Sequence, residues 1–156
     1  MIKLLVAIDD SSSAMKAVDY VAQQLAACGA QIGLVHVLPN LPAIFWDEGH
    51  ILSEEEKRDR QKVVDKWLAA QKAKMEPILK KSVETLAAKG VPTDWVQTRF
   101  VSDSTDIADS ILETARDGGY QTIVVGRREQ PSKHILGSVS GKIINQGSGM
   151  TVIVVE

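Results

Sequence analysis

The sequence has a single cysteine, no excess of positive charge and no long apolar run. A lone cysteine, Cys28, excludes an internal disulfide and a thiolate metal cluster. The formal net charge of −2 leaves no basic surface for nucleic acid or for an anionic membrane. No segment approaches the roughly 20 apolar residues of a membrane-spanning helix, and the apolar run near the N-terminus is too short for a signal peptide. We therefore expect a cytoplasmic protein that binds neither nucleic acid nor membrane.

Patterns of catalytic residues are also scarce. His36, His50 and His134 lie far apart, and no two of them have the spacing of metal ligands. His36 falls in a predicted strand, where we expect a packed and hydrogen-bonded side chain. A nucleophile elbow of the G-x-S-x-G type is absent. "GSVSGK" (137–142) is not a P-loop, because it has three residues between its glycines and Ile143 where Ser or Thr is required. We therefore predict a binding protein and not an enzyme.

Short apolar runs alternate with longer helical patterns along the chain. The runs predict five strands, over 3–9, 30–38, 94–102, 121–126 and 150–156. Strands separated by helices form right-handed parallel units. A length of 156 residues suits one domain, so we predict a single α/β domain over 1–156 with a doubly wound parallel sheet. In such a domain, ligands bind beyond the carboxyl ends of the strands.

A long helical segment precedes the third strand. Ser53 and Glu56 have the spacing of a capping box, and the segment ends at Gly90. Pro77 removes one helical donor, and we expect it to kink or split the segment. The predicted buried stripe consists of Val64, Leu68, Met75, Ile78, Leu79, Val83 and Leu86.

Three shorter helices complete the pattern. The first begins after Ser11 and ends near Gly29, a typical C-terminal capping residue. Cys28, near its end, is predicted to be a small buried residue. The other two helices are predicted over 104–119 and 137–147.

An acidic pair, Asp9 and Asp10, directly follows the first strand. Phosphoreceiver domains have such a pair, which binds magnesium beside an aspartate on the third strand. Here the only acid at that strand end is Asp103, and a receiver has no long helical segment before its third strand. A second interpretation is that Asp10 or Ser11 caps the free amides of the first helix. The third is that the pair contacts a bound nucleotide.

A cationic segment, "VVGRREQPSKHILGSVS" (124–140), follows the fourth strand. The strand ends on Gly126, and Gly137 and Ser138 begin a helix. Free amides, a hydroxyl and the positive end of a helix dipole form an anion site. The alternative, a plain loop with solvated cations, stays open at this point. Three cations of the segment can contact phosphates: Arg127, Arg128 and Lys133.

The motifs together resemble the universal stress protein family. "VAID" ends the first strand, "LVHV" lies in the second, "IVVG" in the fourth, "LGSVS" begins the last helix and "VIVV" lies in the last strand. The resemblance runs along the whole chain. It implies a Rossmann-like sheet of order 3-2-1-4-5, as in the adenine nucleotide alpha hydrolases, and a homodimer through strand 150–156. It further implies a regulatory role in the stress response, with ATP and its Mg²⁺ bound by a subset of members.

The resemblance also implies a nucleotide site. Asp9 corresponds to the residue that contacts adenosine, and Val37 to a position beside the adenine. Val125, Gly126 and Arg127 lie at the end of the fourth strand. The segment that holds phosphates corresponds to Gly137, Ser138, Val139 and Ser140.

This sequence departs from the ATP-binding members at the phosphate loop. Those members have G-x-x-G, nine residues, and then G-[ST]. Glu129 stands here in place of the second glycine, and only seven residues separate it from Gly137. A carboxylate repels phosphates, and a Cβ hinders close approach of the backbone. Asp10 also stands where family members commonly have a small residue after the first aspartate. The alternative prediction is therefore a partner-binding stress module that needs no nucleotide.

Overall fold

The computed structural model describes residues 1–38, 52–127 and 138–156. Its sheet is parallel, with the strand order β3-β2-β1-β4-β5. The strands are β1 (Lys3–Ala7), β2 (Gln31–Val37), β3 (Val96–Val101), β4 (Thr122–Gly126) and β5 (Thr151–Val155). Each strand lies within the range predicted for it. The doubly wound, Rossmann-like fold of order 3-2-1-4-5 is thereby confirmed.

Helices cover both faces of this sheet. Residues of α1 and α2 pack in one apolar cluster, and residues of α3 and α4 pack in the other. β1 contributes to both, since Leu4 and Val6 face the first cluster and Leu5 faces the second. A strand covered on both faces is apolar throughout, which explains its continuous run. The helices are α1 (Ser12–Tyr20), α2 (Glu54–Ala88), α3 (Ile107–Asp117) and α4 (Ser138–Gln146).

The helix α2 is continuous through Pro77, so of the two predicted outcomes the split is wrong and the kink stays a prediction. Pro77 and Ala73 are both exposed, so water can hydrogen-bond to the Ala73 carbonyl, which proline leaves without a donor. The predicted capping box is confirmed. Ser53 Oγ accepts from the Glu56 amide at 3.2 Å, and Glu56 Oε2 accepts from the Ser53 amide at 2.8 Å.

Only the C-terminal half of α2 packs in the core. Its buried residues are Met75, Leu79, Ser82 and Leu86. Four residues of the predicted buried stripe are only half-buried: Val64, Leu68, Ile78 and Val83. Of these, Ile78 and Val83 pack against the apolar cluster. At 1.5 Å per residue α2 is about 50 Å long, whereas a five-residue strand spans about 17 Å. The N-terminal half therefore extends beyond the sheet.

Cys28 is exposed, so the prediction of a buried thiol is wrong. After α1 the chain forms a π-helical turn over Val21–Leu25 and a 3₁₀ turn over Ala26–Cys28. These turns change the rotation per residue and move Cys28 off the apolar stripe. Gly29 then ends the segment with a positive φ of 66°, as its predicted capping role requires.

Within 1–38, 52–127 and 138–156, no helix is both long and apolar enough to cross a bilayer.

Candidate functional site

A cavity of about 70 Å³ opens at the carboxyl edge of the sheet, between the ends of β1 and β4. This is the switch point of the fold, because the chain leaves these neighbouring strands in opposite directions. An adjoining groove of about 400 Å³ shares Ile107 and Val139 with the cavity. Together they have the size of a small-molecule site. Six residues that the sequence predicted for nucleotide binding line the cavity: Asp9, Val37, Val125, Gly126, Val139 and Ser140.

Asp9 lies at the cavity rim and is held by the residue that starts α1. Its Oδ1 accepts from the Ser11 amide at 2.8 Å and also from the Ser11 hydroxyl. The Ser11 Oγ in turn accepts from the Ala14 amide at 3.3 Å and caps the helix. Ser11, and not Asp10, is therefore the N-cap that the sequence left open. The cap fixes the Asp9 carboxylate beside the cavity.

Asp10 belongs to a different part of the molecule. Its Oδ2 lies 3.1 Å from Lys74 Nζ on α2, and both side chains are largely exposed. The hydrogen bond from Lys74 holds the pKa of the Asp10 carboxyl below its usual range. Asp10 is not among the residues that line the cavity. In the described part of the chain, no group of three or more His, Cys, Asp or Glu residues is placed to hold a metal ion.

The end of β4 is pressed against the first turn of α1. A Cβ added to Gly126 would lie 2.3 Å from the Ser13 carbonyl oxygen and 2.4 Å from the Ser13 carbonyl carbon. The buried Ser13 hydroxyl donates to the Arg127 carbonyl and joins the two elements. Sequence reasoning missed Ser13. The sequence shows only a small polar residue in the first turn of a helix, and such residues are common there.

The structure does not bring Arg127 to the cavity. Its amide donates to the Val155 carbonyl at 2.7 Å, and its guanidinium pairs with the Glu156 carboxylate. Gly137 lies outside the described residues. The three charged residues of the phosphate loop, Arg128, Glu129 and Lys133, lie there as well.

Ser138 lines the adjoining groove together with Lys142 and the start of α3. Lys142 Nζ lies 3.1 Å from the Oδ2 atoms of both Asp106 and Asp109. Asp106 is also the N-cap of α3, and its Oδ1 accepts from the Asp109 amide at 2.9 Å. That amide and then Lys142 lower the pKa of the Asp106 carboxyl, and Asp106 raises the pKa of Lys142. The groove therefore offers a neutralised lysine instead of a net positive charge.

His36 also lines the cavity, a role that sequence reasoning missed. The expectation of a packed, hydrogen-bonded histidine is confirmed, since His36 is buried and its Nδ1 lies 2.7 Å from the Ile8 carbonyl oxygen. A carbonyl only accepts, so Nδ1 carries the proton. Two apolar residues of α3, Ile107 and Ile111, form a further wall. Their helical spacing is that of ordinary core residues, so the sequence pattern does not distinguish a pocket wall from the core.

This arrangement is suited to binding a nucleoside. Valine and isoleucine side chains form apolar walls for a flat base, and the Asp9 carboxylate can accept from hydroxyl groups. The first turn of α4 supplies backbone amides and the Ser138 and Ser140 hydroxyls on the side where phosphates would lie.

Comparisons with known proteins identify the fold and the family of this chain. The model of the universal stress protein family matches residues 1–155. Universal stress protein UspA from Lactobacillus plantarum aligns with a TM-score of 0.71 and 17% identity, over 99% of this chain and 97% of that one. The Archaeoglobus fulgidus protein in complex with dAMP aligns with a TM-score of 0.61 and 18% identity, over 100% and 98%. An Arabidopsis thaliana member of the family with AMP bound aligns with a TM-score of 0.64 and 18% identity, over 99% of this chain and 91% of that one.

A search of curated proteins finds no match. The identities to solved structures are low and by themselves show a shared fold. The family model, however, spans nearly the whole sequence. The chain belongs to the universal stress protein family.

Proposed function

We propose that this protein is a non-catalytic regulatory module of the stress response, with residues 1–156 acting as one domain that binds an adenine nucleotide. One observation carries the proposal. Residues from β1, β2, β4 and α4 that the sequence predicted for a nucleotide site line a single cavity at the switch point. Two proteins of the same fold were solved with dAMP or AMP bound, which supports an adenine nucleotide as the ligand.

Each group has a role in this proposal. Asp9 accepts from the ribose hydroxyls, and Val37 lies beside the adenine. Val125 and Gly126 form the floor between base and phosphates. Gly137, Ser138, Val139 and Ser140 hold the phosphates through amides and hydroxyls. ATP has two more phosphates than AMP, and these phosphates, with their Mg²⁺, require contacts beyond the cavity.

The test is calorimetric titration of the protein with AMP and with magnesium-ATP. We expect binding, and we expect Asp9→Asn to weaken it about tenfold, because a charged acceptor for the ribose is lost. Asp10→Asn is the matched control. Asp10 faces Lys74, and an exposed ion pair contributes little to stability or binding, so affinity should stay within about twofold. No heat at millimolar nucleotide, with the protein folded, would contradict the proposal.

The second candidate is a partner-binding module that needs no nucleotide. Two features favour it. Glu129 replaces a glycine of the family's phosphate-binding motif with an acidic residue, and Arg127 pairs with Glu156 instead of lining the cavity. Mass analysis of small molecules released when the purified protein is denatured separates the two functions. One adenine nucleotide per chain excludes the second candidate.

We also propose a homodimer paired through β5. Residues 152–155 are apolar and half-buried, and β5 is the last strand of the sheet. An apolar sheet edge of this kind favours pairing with another strand.

A further inference from the structure

The ladder between β1 and β2 stops one step short at the cavity. The last pair in register is Ala7 with Val35, and the Ile8 amide still donates to the Val35 carbonyl at 2.8 Å. In a parallel ladder the next bond would run from the Val37 amide to the Ile8 carbonyl. No such bond is formed between these two described residues. The Ile8 carbonyl accepts from His36 Nδ1 at 2.7 Å.

The interrupted ladder determines where the backbone N–H and C=O of Val37 point. The Leu38 amide donates to the Val101 carbonyl at 2.8 Å, so Leu38 directs its N–H to β3. Direction alternates along a strand, and Val37 therefore faces the β1 side. β1 has ended at that level, and both Ile8 and Val37 line the cavity. The Val37 amide and carbonyl thus point to the cavity rim.

Packing holds the His36 ring in place for this role. His36 is 8% exposed, and its ring meets Phe100 edge to face with the centroids 6.1 Å apart. Lys72 Nζ lies 5.8 Å from the centre of the same Phe100 ring. The Ile8 carbonyl belongs to the peptide bond that carries the Asp9 amide. One imidazole therefore orients peptide groups on both sides of the cavity.

We propose that His36 is a positioning residue of the nucleotide site. Its Nδ1–H donates to the Ile8 carbonyl and thereby ends the β1–β2 ladder before Val37. The backbone N–H and C=O of Val37 then stay directed at the ligand. For the identity of the ligand the inference rests on the proposed function. The effect on the ladder requires no ligand.

Two variants separate the hydrogen bond from the bulk of the ring. His36→Asn places an amide nitrogen at the position of Nδ1 and keeps the donor. His36→Leu keeps an apolar side chain and removes the donor. In His36→Leu the Ile8 carbonyl has lost its partner, and the Val37 amide can complete the next bond of the ladder.

The first readout is amide hydrogen exchange of Val37 in the nucleotide-free protein. We expect exchange at least about tenfold slower in His36→Leu than in the wild type, since the amide becomes part of the ladder. His36→Asn should exchange like the wild type. Equal exchange in the wild type and His36→Leu overturns the proposal whether or not any nucleotide binds.

The second readout is affinity for AMP by calorimetry. We expect His36→Leu to bind about tenfold more weakly and His36→Asn to bind within about threefold of the wild type. Loss of affinity in both variants, with the fold intact, overturns the positioning role, because the retained donor should rescue binding. A wild type that binds no adenine nucleotide overturns the proposed function, and the exchange comparison then decides the role of His36 alone.

His36→Gln replaces the leucine variant if that variant does not fold. Glutamine carries its donor one bond further from the backbone than Nδ1. It should therefore give the same slowed exchange of Val37 and the same weakened binding. Wild-type behaviour in both measurements overturns the proposal.

Discussion

At the scale of single residues, two adjacent aspartates at the end of β1 serve different parts of the molecule. Asp9 is held by the N-cap Ser11 and lines the cavity, whereas Asp10 reaches Lys74 on α2. The chain bends at Asp10, between the end of β1 and the start of α1, so the two neighbours in sequence have different surroundings. One carboxylate can therefore contact a ligand while the other forms an ion pair on the surface.

Gly126 gives the clearest prediction at this scale. We expect Gly126→Ala to lower the free energy of unfolding by about 1 to 3 kcal/mol, because its Cβ would overlap the Ser13 backbone, which cannot rotate away. The β4 end must then move, so affinity for the nucleotide should fall as well. Urea denaturation and calorimetry measure the two effects.

Gly29→Ala is the control for this substitution. Gly29 has a positive φ of 66° but no atom within 4 Å of an added Cβ, so alanine there introduces backbone strain without overlap. It should reduce stability and leave affinity unchanged. A Gly126→Ala protein with wild-type stability and affinity would show that the contact with Ser13 is not restrictive.

At the scale of elements, α2 is the unusual helix. It contains 35 residues, and its buried side chains lie between Met75 and Leu86. Packing on α1 and β3 stabilises that half. The other half depends on local terms, the capping box and three acidic residues in the first turn, which complement the helix dipole.

Pro77 lies inside this helix and offers a test of how α2 is stabilised. We expect Pro77→Ala to raise the free energy of unfolding by about 2 kcal/mol. The substitution restores a helical hydrogen bond worth up to about 3 kcal/mol, and the loss of proline rigidity in the unfolded chain offsets about 1 kcal/mol. Thermal and urea denaturation measure the change.

The neighbouring exposed residue supplies the control, since Glu76→Ala should alter stability by no more than about 0.5 kcal/mol. A destabilised Pro77→Ala protein would mean that the proline, and not the helical bond, fits this position better.

At the scale of the whole molecule, β5 determines how two chains can meet. The Thr151 amide donates to the Gln121 carbonyl at 2.9 Å, and the Val155 carbonyl accepts from the Arg127 amide at 2.7 Å. The odd-numbered residues of β5 thus direct their backbone N–H and C=O to β4. By alternation, Val152 and Val154 direct theirs to the outer edge, where a second chain would pair.

We expect Val154→Pro to convert the proposed dimer to a monomer. Proline removes one outward N–H and leaves the bonds to β4 in place, as it does on natural edge strands. Size-exclusion chromatography with light scattering gives the mass. Thr98→Pro is the matched control, because Thr98 directs its N–H to the outer edge of β3, at the opposite end of the sheet. A monomeric wild type, or a dimeric Val154→Pro protein, would contradict the proposed pairing.

Much of the fold could be predicted because its signals are local. The continuous apolar run of β1 and the capping box of α2 each depend on a few neighbouring residues. The cavity residues Asp9 and Gly126 follow from their places at strand ends, where a doubly wound sheet binds its ligands. The exposure of Cys28 could not be predicted, because the π turn before it depends on how α1 packs on the sheet.

The sequence by itself therefore determined the order of strands and helices, the family, and the set of residues from which a nucleotide site can be built. Only the tertiary structure decided which of them meet. It placed Asp9 and Asp10 in different surroundings, paired Arg127 with Glu156, and formed the hydrogen bond between His36 and the Ile8 carbonyl. The physical reason is range. Propensity and periodicity act within a few residues, whereas these contacts join elements that are distant in the chain and depend on their packing.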